Sequence, residues 1–74
     1  MLTHTRTYRI LAVEQGEEEY REYAATAISE ALTMAERDDA GRIGHAYTYG
    51  VMPEDYDIAR EEGIRFNQAD GLLI

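Results

Sequence analysis

The side chains in this chain that could do chemistry are two histidines and fifteen carboxylates. His4 and His45 show no HxH, HExxH or His-x-x-Glu spacing, so nothing in the sequence brings imidazoles and acids onto one metal ion. Glu54, Asp55, Asp57, Glu61 and Glu62 cluster, but without the central glycine and terminal glutamate of a twelve-residue calcium loop. Ser29 has no basic neighbour to activate it as a nucleophile. No glycine-rich, phosphate-cradling loop follows a strand. The absence of cysteine removes thiol chemistry, Cys-based zinc sites and disulfides. These observations predict no enzyme, no cofactor and no metal. His45, beside Tyr47 and Tyr49, is expected to be a packed, hydrogen-bonded histidine.

Charge is the stronger signal. Fifteen acids oppose seven bases, every base is arginine, and the net charge is −8. Such a body repels phosphate and anionic lipid, which disfavours direct binding of nucleic acid or membrane and favours a basic or neutral protein surface. Solubility, or adaptation to a halophilic or GC-rich background, is the simpler reading of the same composition, because net charge reports on association and solubility and not on fold. The N-terminal residues lack an apolar core of signal-peptide length, and no run reaches about 18 apolar residues. A cytoplasmic protein is expected. At 74 residues it should form one domain, burying about 60% of its unfolded surface, with a marginal core that a homodimer would reinforce.

The elements that must position these groups are organised by Glu17–Arg37. Tyr20, Tyr23, Ala24, Ala27, Ile28, Ala31, Leu32 and Ala35 recur at helical steps. No Gly or Pro interrupts them, so one long amphipathic helix is predicted, opened by three glutamates where its dipole favours negative charge. The alternative parse makes Gln15–Glu18 a hairpin turn, Glu19–Ala25 a strand, and starts the helix near Thr26. Thr3–Val13 reads as a first strand covered on both sides. Gly41 is expected as a left-handed helix cap, with Asp38 and Asp39 badly placed beside it. Arg42–Val51 alternates large and small side chains as a second strand, its small face suited to close approach by a helix. Pro53 opens a short helix capped by Gly63, Ile64–Phe66 begins a last strand, Asp70-Gly71 turns, and Leu72–Ile74 is an apolar tail that pairs into the sheet or a neighbouring subunit. The expected fold is α+β, or a small α/β, with a β-α-β core crossing over in parallel.

On this parse Glu18, Glu22, Glu30 and Glu36 lie on the outward helix face, with Asp38 and Asp39 past its end. A row of carboxylates on a rigid helix imitates the phosphates of a nucleic acid and attracts a basic groove. A solvated helix face is the plainer alternative. Tyr47 and Tyr49 are core residues or, if exposed, interface anchors.

The size, the charge, and the succession of short strand, EYAATAISEALTMAER and RIGHAY resemble the small, acidic, cysteine-free proteins that bacteriophages encode against host defences, anti-CRISPR proteins among them. That resemblance implies a stoichiometric inhibitor that blocks a nucleic-acid-binding surface by acidic contacts. The competing expectation is a small homo-oligomeric domain of metabolic or regulatory role, with Tyr47 and Tyr49 buried between subunits.

Overall fold

Gln15 and Gly16 both take positive φ, 51° and 83°, the geometry of the two-residue turn that closes a right-twisted hairpin. In the computed structural model, which describes residues 4–74, this turn folds β1 (Arg6–Glu14) back on β2 (Glu17–Ala25). The pair is antiparallel, running from Glu14 opposite Glu17 to Arg6 opposite Ala25. Thr3, expected in the first strand, lies outside the described residues. The predicted continuous helix over Glu17–Arg37 is therefore corrected: its first nine residues are strand, and α1 spans Ile28–Asp39. The alternative parse has the right elements, with the strand beginning two residues earlier.

β3 (Thr48–Val51) pairs antiparallel with the other edge of β1, giving the order β2-β1-β3. The fold is α+β, but the expected parallel β-α-β crossover is replaced by β-β-α-β. The hairpin reverses the chain once more before the helix, so β3 returns against β1 and not alongside it.

One sheet face carries Tyr8, Ile10, Ala25 and Val51 into the core. α1 covers it with Ile28, Ala31, Leu32 and Ala35. These four keep the predicted helical spacing; the apparent continuation through Tyr20–Ala24 is coincidental. β1 is covered on its second face only at Leu11 and partly at Val13, while Thr7 and Arg9 are exposed.

The start of α1 has an alanine, Ala27, where a capping side chain would stand. A carboxylate from elsewhere takes that role: Glu62 accepts hydrogen bonds from the Ile28 and Ser29 amides at 2.8 and 3.0 Å. Glu30 accepts from the Thr26 amide and hydroxyl, both at 3.2 Å. Acids at the positive end of the helix dipole satisfy donors that have no intrahelical partner. At the far end Ala40, in right-handed helical conformation, caps α1. The left-handed cap expected at Gly41 does not form; positive φ falls instead at Gly44. The strand expected over Arg42–Val51 is shortened to its last four residues, because residues 40–44 turn and residues 45–47 are irregular before β3.

Pro53 opens a 3₁₀ turn, Pro53–Asp55, that leads into α2 (Tyr56–Glu61), and Gly63 with φ 78° follows as predicted. The last strand expected at Ile64–Phe66 reduces to a single bridge, Phe66 to Leu73. The tail itself closes the outer edge of β3. Val51 N–H donates to Gly71 O and Leu73 N–H to Tyr49 O, each at 2.9 Å, and Gly50 faces Leu72. A Cβ on Gly50 would stand 2.6 Å from the Gly71 carbonyl oxygen. The small strand face does admit a close approach, but by the tail backbone and not by a helix.

Candidate protein-binding surface

The outer edge of β2 has no covering strand. Tyr49 and Val51 use their backbone groups toward the tail, so Thr48 and Gly50 face β1; their partners Val13 and Leu11 face β3 in turn. Backbone polarity alternates along an antiparallel ladder. It follows that Glu17, Glu19, Arg21, Tyr23 and Ala25 bond to β1, and that Glu18, Tyr20, Glu22 and Ala24 direct their N–H and C=O groups outward. Among the described residues no partner meets them.

The side chains along this edge are acidic on both faces. Glu18, Tyr20 and Glu22 stand on the face away from α1 and are exposed. Glu17 and Glu19 stand on the α1 side, and a cleft of about 300 Å3 near the turn is lined by them with Ala12, Glu14 and Tyr47 and bordered by Glu18 between them. Tyr20 donates to Glu18 at 3.2 Å, and the Arg9 guanidinium sits 5.2 Å over the Tyr20 ring.

The expected single row of helical carboxylates is thus divided. Glu18 and Glu22 are on the edge strand. Glu30 is occupied with Thr26, and Glu36 is exposed on α1. Asp38 is exposed and accepts from the Tyr23 hydroxyl at 2.9 Å. Asp39 is turned inward, its side chain 6% exposed. Glu17 and Glu19 were not singled out in the sequence, although Gln15-Gly16 is the turn signal that would have placed them beside Glu18 on a strand.

Asp39 centres a buried network that ties α1 to the sheet. Arg21 Nη1 donates to both its carboxylate oxygens at 2.9 Å, the Tyr49 hydroxyl donates to Oδ2, and Arg42 Nε lies 3.5 Å away. Arg21 Nε also pairs with Glu19 at 2.9 Å. The Arg21 guanidinium lies 5.0 Å from the Tyr47 ring, which stacks between His45 and Tyr49 at 6.2 and 6.3 Å. Tyr47 and Tyr49 are therefore half-buried members of a stack, not an open platform. His45 Nδ1 lies against Glu14 Oε2. Among the described residues, no three His, Cys, Asp or Glu side chains are grouped to hold a metal, and no helix is long and apolar enough to cross a membrane.

No family model matches the chain, and no curated protein or solved structure matches it either.

The network sets a pH dependence. Burial pushes the Asp39 carboxyl up, but the Tyr49 hydroxyl, Arg21 and Arg42 outweigh it and hold the group below the usual carboxylate range. Its contribution to stability is complete above the unfolded value of about 3.9 and is lost as pH falls through the depressed folded value. Burial, then the Asp39 carboxylate, push the Tyr49 phenol up. That contribution is complete below about pH 10 and is lost as pH rises through the raised value. Denaturant midpoints should therefore be highest between about pH 5 and pH 9. Burial and Asp38 also raise Tyr23, so in an absorbance titration Tyr23 and Tyr49 should ionise above the usual phenol range, together with loss of the fold. Ionisation of Tyr23 and Tyr49 at about pH 10 with the fold intact would contradict the network.

Proposed function

We propose that this chain is a non-enzymatic interaction protein whose acidic surface binds and occludes a basic protein surface, of the kind that holds nucleic acid. The observation that carries this reading is how the charges are distributed. Arg6, Arg9, Arg21, Arg42 and Arg60 each pair with a carboxylate of the same chain, whereas Glu17, Glu18 and Glu22 form no ion pair among the described residues. Five of the seven bases are so engaged, and Glu14, Glu17, Glu18, Glu19 and Glu22 set five carboxylates along the turn and β2, where the one base, Arg21, is bound to Asp39. An electronegative rim of this sort steers encounter with a positive surface.

A stoichiometric inhibitor of a nucleic-acid-binding effector, in the manner of the phage-encoded host-defence inhibitors, is the specific form proposed. Small size and acidity support it. The segments EYAATAISEALTMAER and RIGHAY add less, since the first divides between β2 and α1 and the second lies in the irregular loop before β3. A homo-oligomer built on an open Tyr47–Tyr49 face is disfavoured because Arg21, Arg42 and α1 already flank those rings.

The test is capture from a nuclease-treated prokaryotic lysate, with the double reversal Glu18→Arg and Glu22→Arg as control. Glu30 is left unchanged because it holds the start of α1. Wild type should retain a nucleic-acid-binding protein that added DNA displaces, and retention should weaken as salt shortens the Debye length from about 10 Å at 0.1 M to about 3 Å at 1 M. Equal retention by the folded reversal variant would refute the proposal.

A further inference from the structure

Beyond an acidic rim, β2 offers an unused hydrogen-bonding template. Glu18, Tyr20, Glu22 and Ala24 present four N–H and four C=O groups outward, in register and without partners among the described residues. Proteins commonly protect such edges with Pro, inward charges, bulges or a covering segment. The opposite edge of this sheet is protected in that way, by the tail at Gly71–Leu73. β2 has neither Pro nor cover, and its pairing with β1 runs over nine residues without a bulge; what guards it is charge, the glutamates along its length and the inward Arg21, which repels a second acidic edge but not a basic strand.

We propose that the edge of β2 takes an extended, basic segment of the partner as an added strand. This rests on the acidic-surface reading above and specifies its geometry. Charge selects the occupant. A second copy pairing antiparallel about Tyr20 would set Glu18 against Glu22 twice and bring four glutamates from each strand together, with Arg21 the only base on the strand and already bound to Asp39. Like charges directly opposite are destabilising, and opposite charges are favourable. A basic strand meets no such penalty.

The register defines the sequence that fits. Along the face away from α1, the added strand places its residues i, i+2 and i+4 opposite Glu22, Tyr20 and Glu18. Bases suit the first and last positions, and an apolar side chain suits the middle one against the Tyr20 ring, which is 50% exposed. Backbone bonds supply affinity, and the alternating side chains supply selection.

The probe is a synthetic, threonine-rich octapeptide with Arg at i and i+4 and Val at i+2, added to the full chain at low ionic strength. Amide exchange followed by NMR should show new protection at Glu18, Tyr20, Glu22 and Ala24, with their inward-bonded neighbours unchanged. Glu22→Gln and Glu22→Pro remove the same charge, but only proline also removes an outward N–H, at a position where an edge strand tolerates it. E22P should bind about tenfold more weakly than E22Q. Equal affinities for E22P and E22Q would overturn strand addition while leaving the acidic surface standing. Undiminished binding by the Glu18→Arg, Glu22→Arg variant would sink both. Protection confined to other residues, absence of binding to wild type, or protection of these four amides by self-association without peptide would each overturn the basic-strand proposal. The exchange pattern on wild type decides the matter even if E22P fails to fold.

Discussion

Asp39→Asn is expected to leave the protein largely unfolded at room temperature. The substitution keeps the shape of the side chain and removes the charge facing Arg21, whose side chain is only 10% exposed. Removing one member of a buried pair costs about 3–5 kcal/mol, because the other charge stays desolvated, here with only the half-exposed Glu19 left to offset it. A domain of this size holds about that much in total. The loss reaches three elements together, since the same carboxylate receives Arg21 from β2 and Tyr49 from β3 at the end of α1. Urea titration followed by far-UV circular dichroism measures it. Replacing the cluster as a unit, with Arg21→Met, Asp39→Leu and Tyr49→Phe, should recover most of the loss, because apolar replacement of a whole buried pair is often neutral. It also removes the Arg21 Nη2 donor, which is buried without a partner. An Asp39→Asn midpoint equal to wild type would show that the network does not anchor the helix.

Gly71→Ala is expected to cost about 2–4 kcal/mol by a different route. Gly71 sits at φ 79°, where an L side chain is strained, and its Cβ would overlap the Val51 carbonyl oxygen. Both obstacles are backbone, so no rotamer change relieves them. The tail should detach from β3 before the rest unfolds. Hydrogen exchange should quicken at the Val51 and Leu73 amides, which bond across this seam. Gly41→Ala is the control, since its Cβ would meet nothing within 4 Å and its φ is not positive. Normal exchange at Val51 in Gly71→Ala would contradict the close approach. Success would open a second sheet edge beside Leu72 and Leu73, and concentration-dependent aggregation should follow.

Beyond residue 52 the short helix, the turn and the pairing tail were readable in the sequence because their signals are local, although the strand expected at Ile64–Phe66 is only a bridge. Pro53 starts a helical turn, Gly63 follows α2, and Asp70-Gly71 turns the chain into a pairing tail. The stripe Ile28, Ala31, Leu32 and Ala35 was equally plain. The first half misled because its inward face carries Arg21 where an apolar residue would have revealed the alternation. That charge is acceptable only beside Asp39, 18 residues away, a relation no window of sequence displays. Glutamate, alanine and arginine favour helix, and cross-strand pairing with β1 overrode that preference. The same error placed Glu18 and Glu22 in line with Glu30 and Glu36. Acidity was legible from composition; its collection on a sheet edge required the hairpin.

The cap that Glu62 places on α1 has a consequence for how the chain comes to be folded. Ile28 and Ser29 emerge from the ribosome 34 and 33 residues before the carboxylate that satisfies their amides. At about 5–20 residues per second, the hairpin and helix wait about 2–7 s for that contact. During synthesis the start of α1 therefore stays uncapped until Glu62 has emerged. A nonsense codon anywhere before residue 62 would release a polypeptide with the start of its helix open, a natural substrate for quality-control proteases.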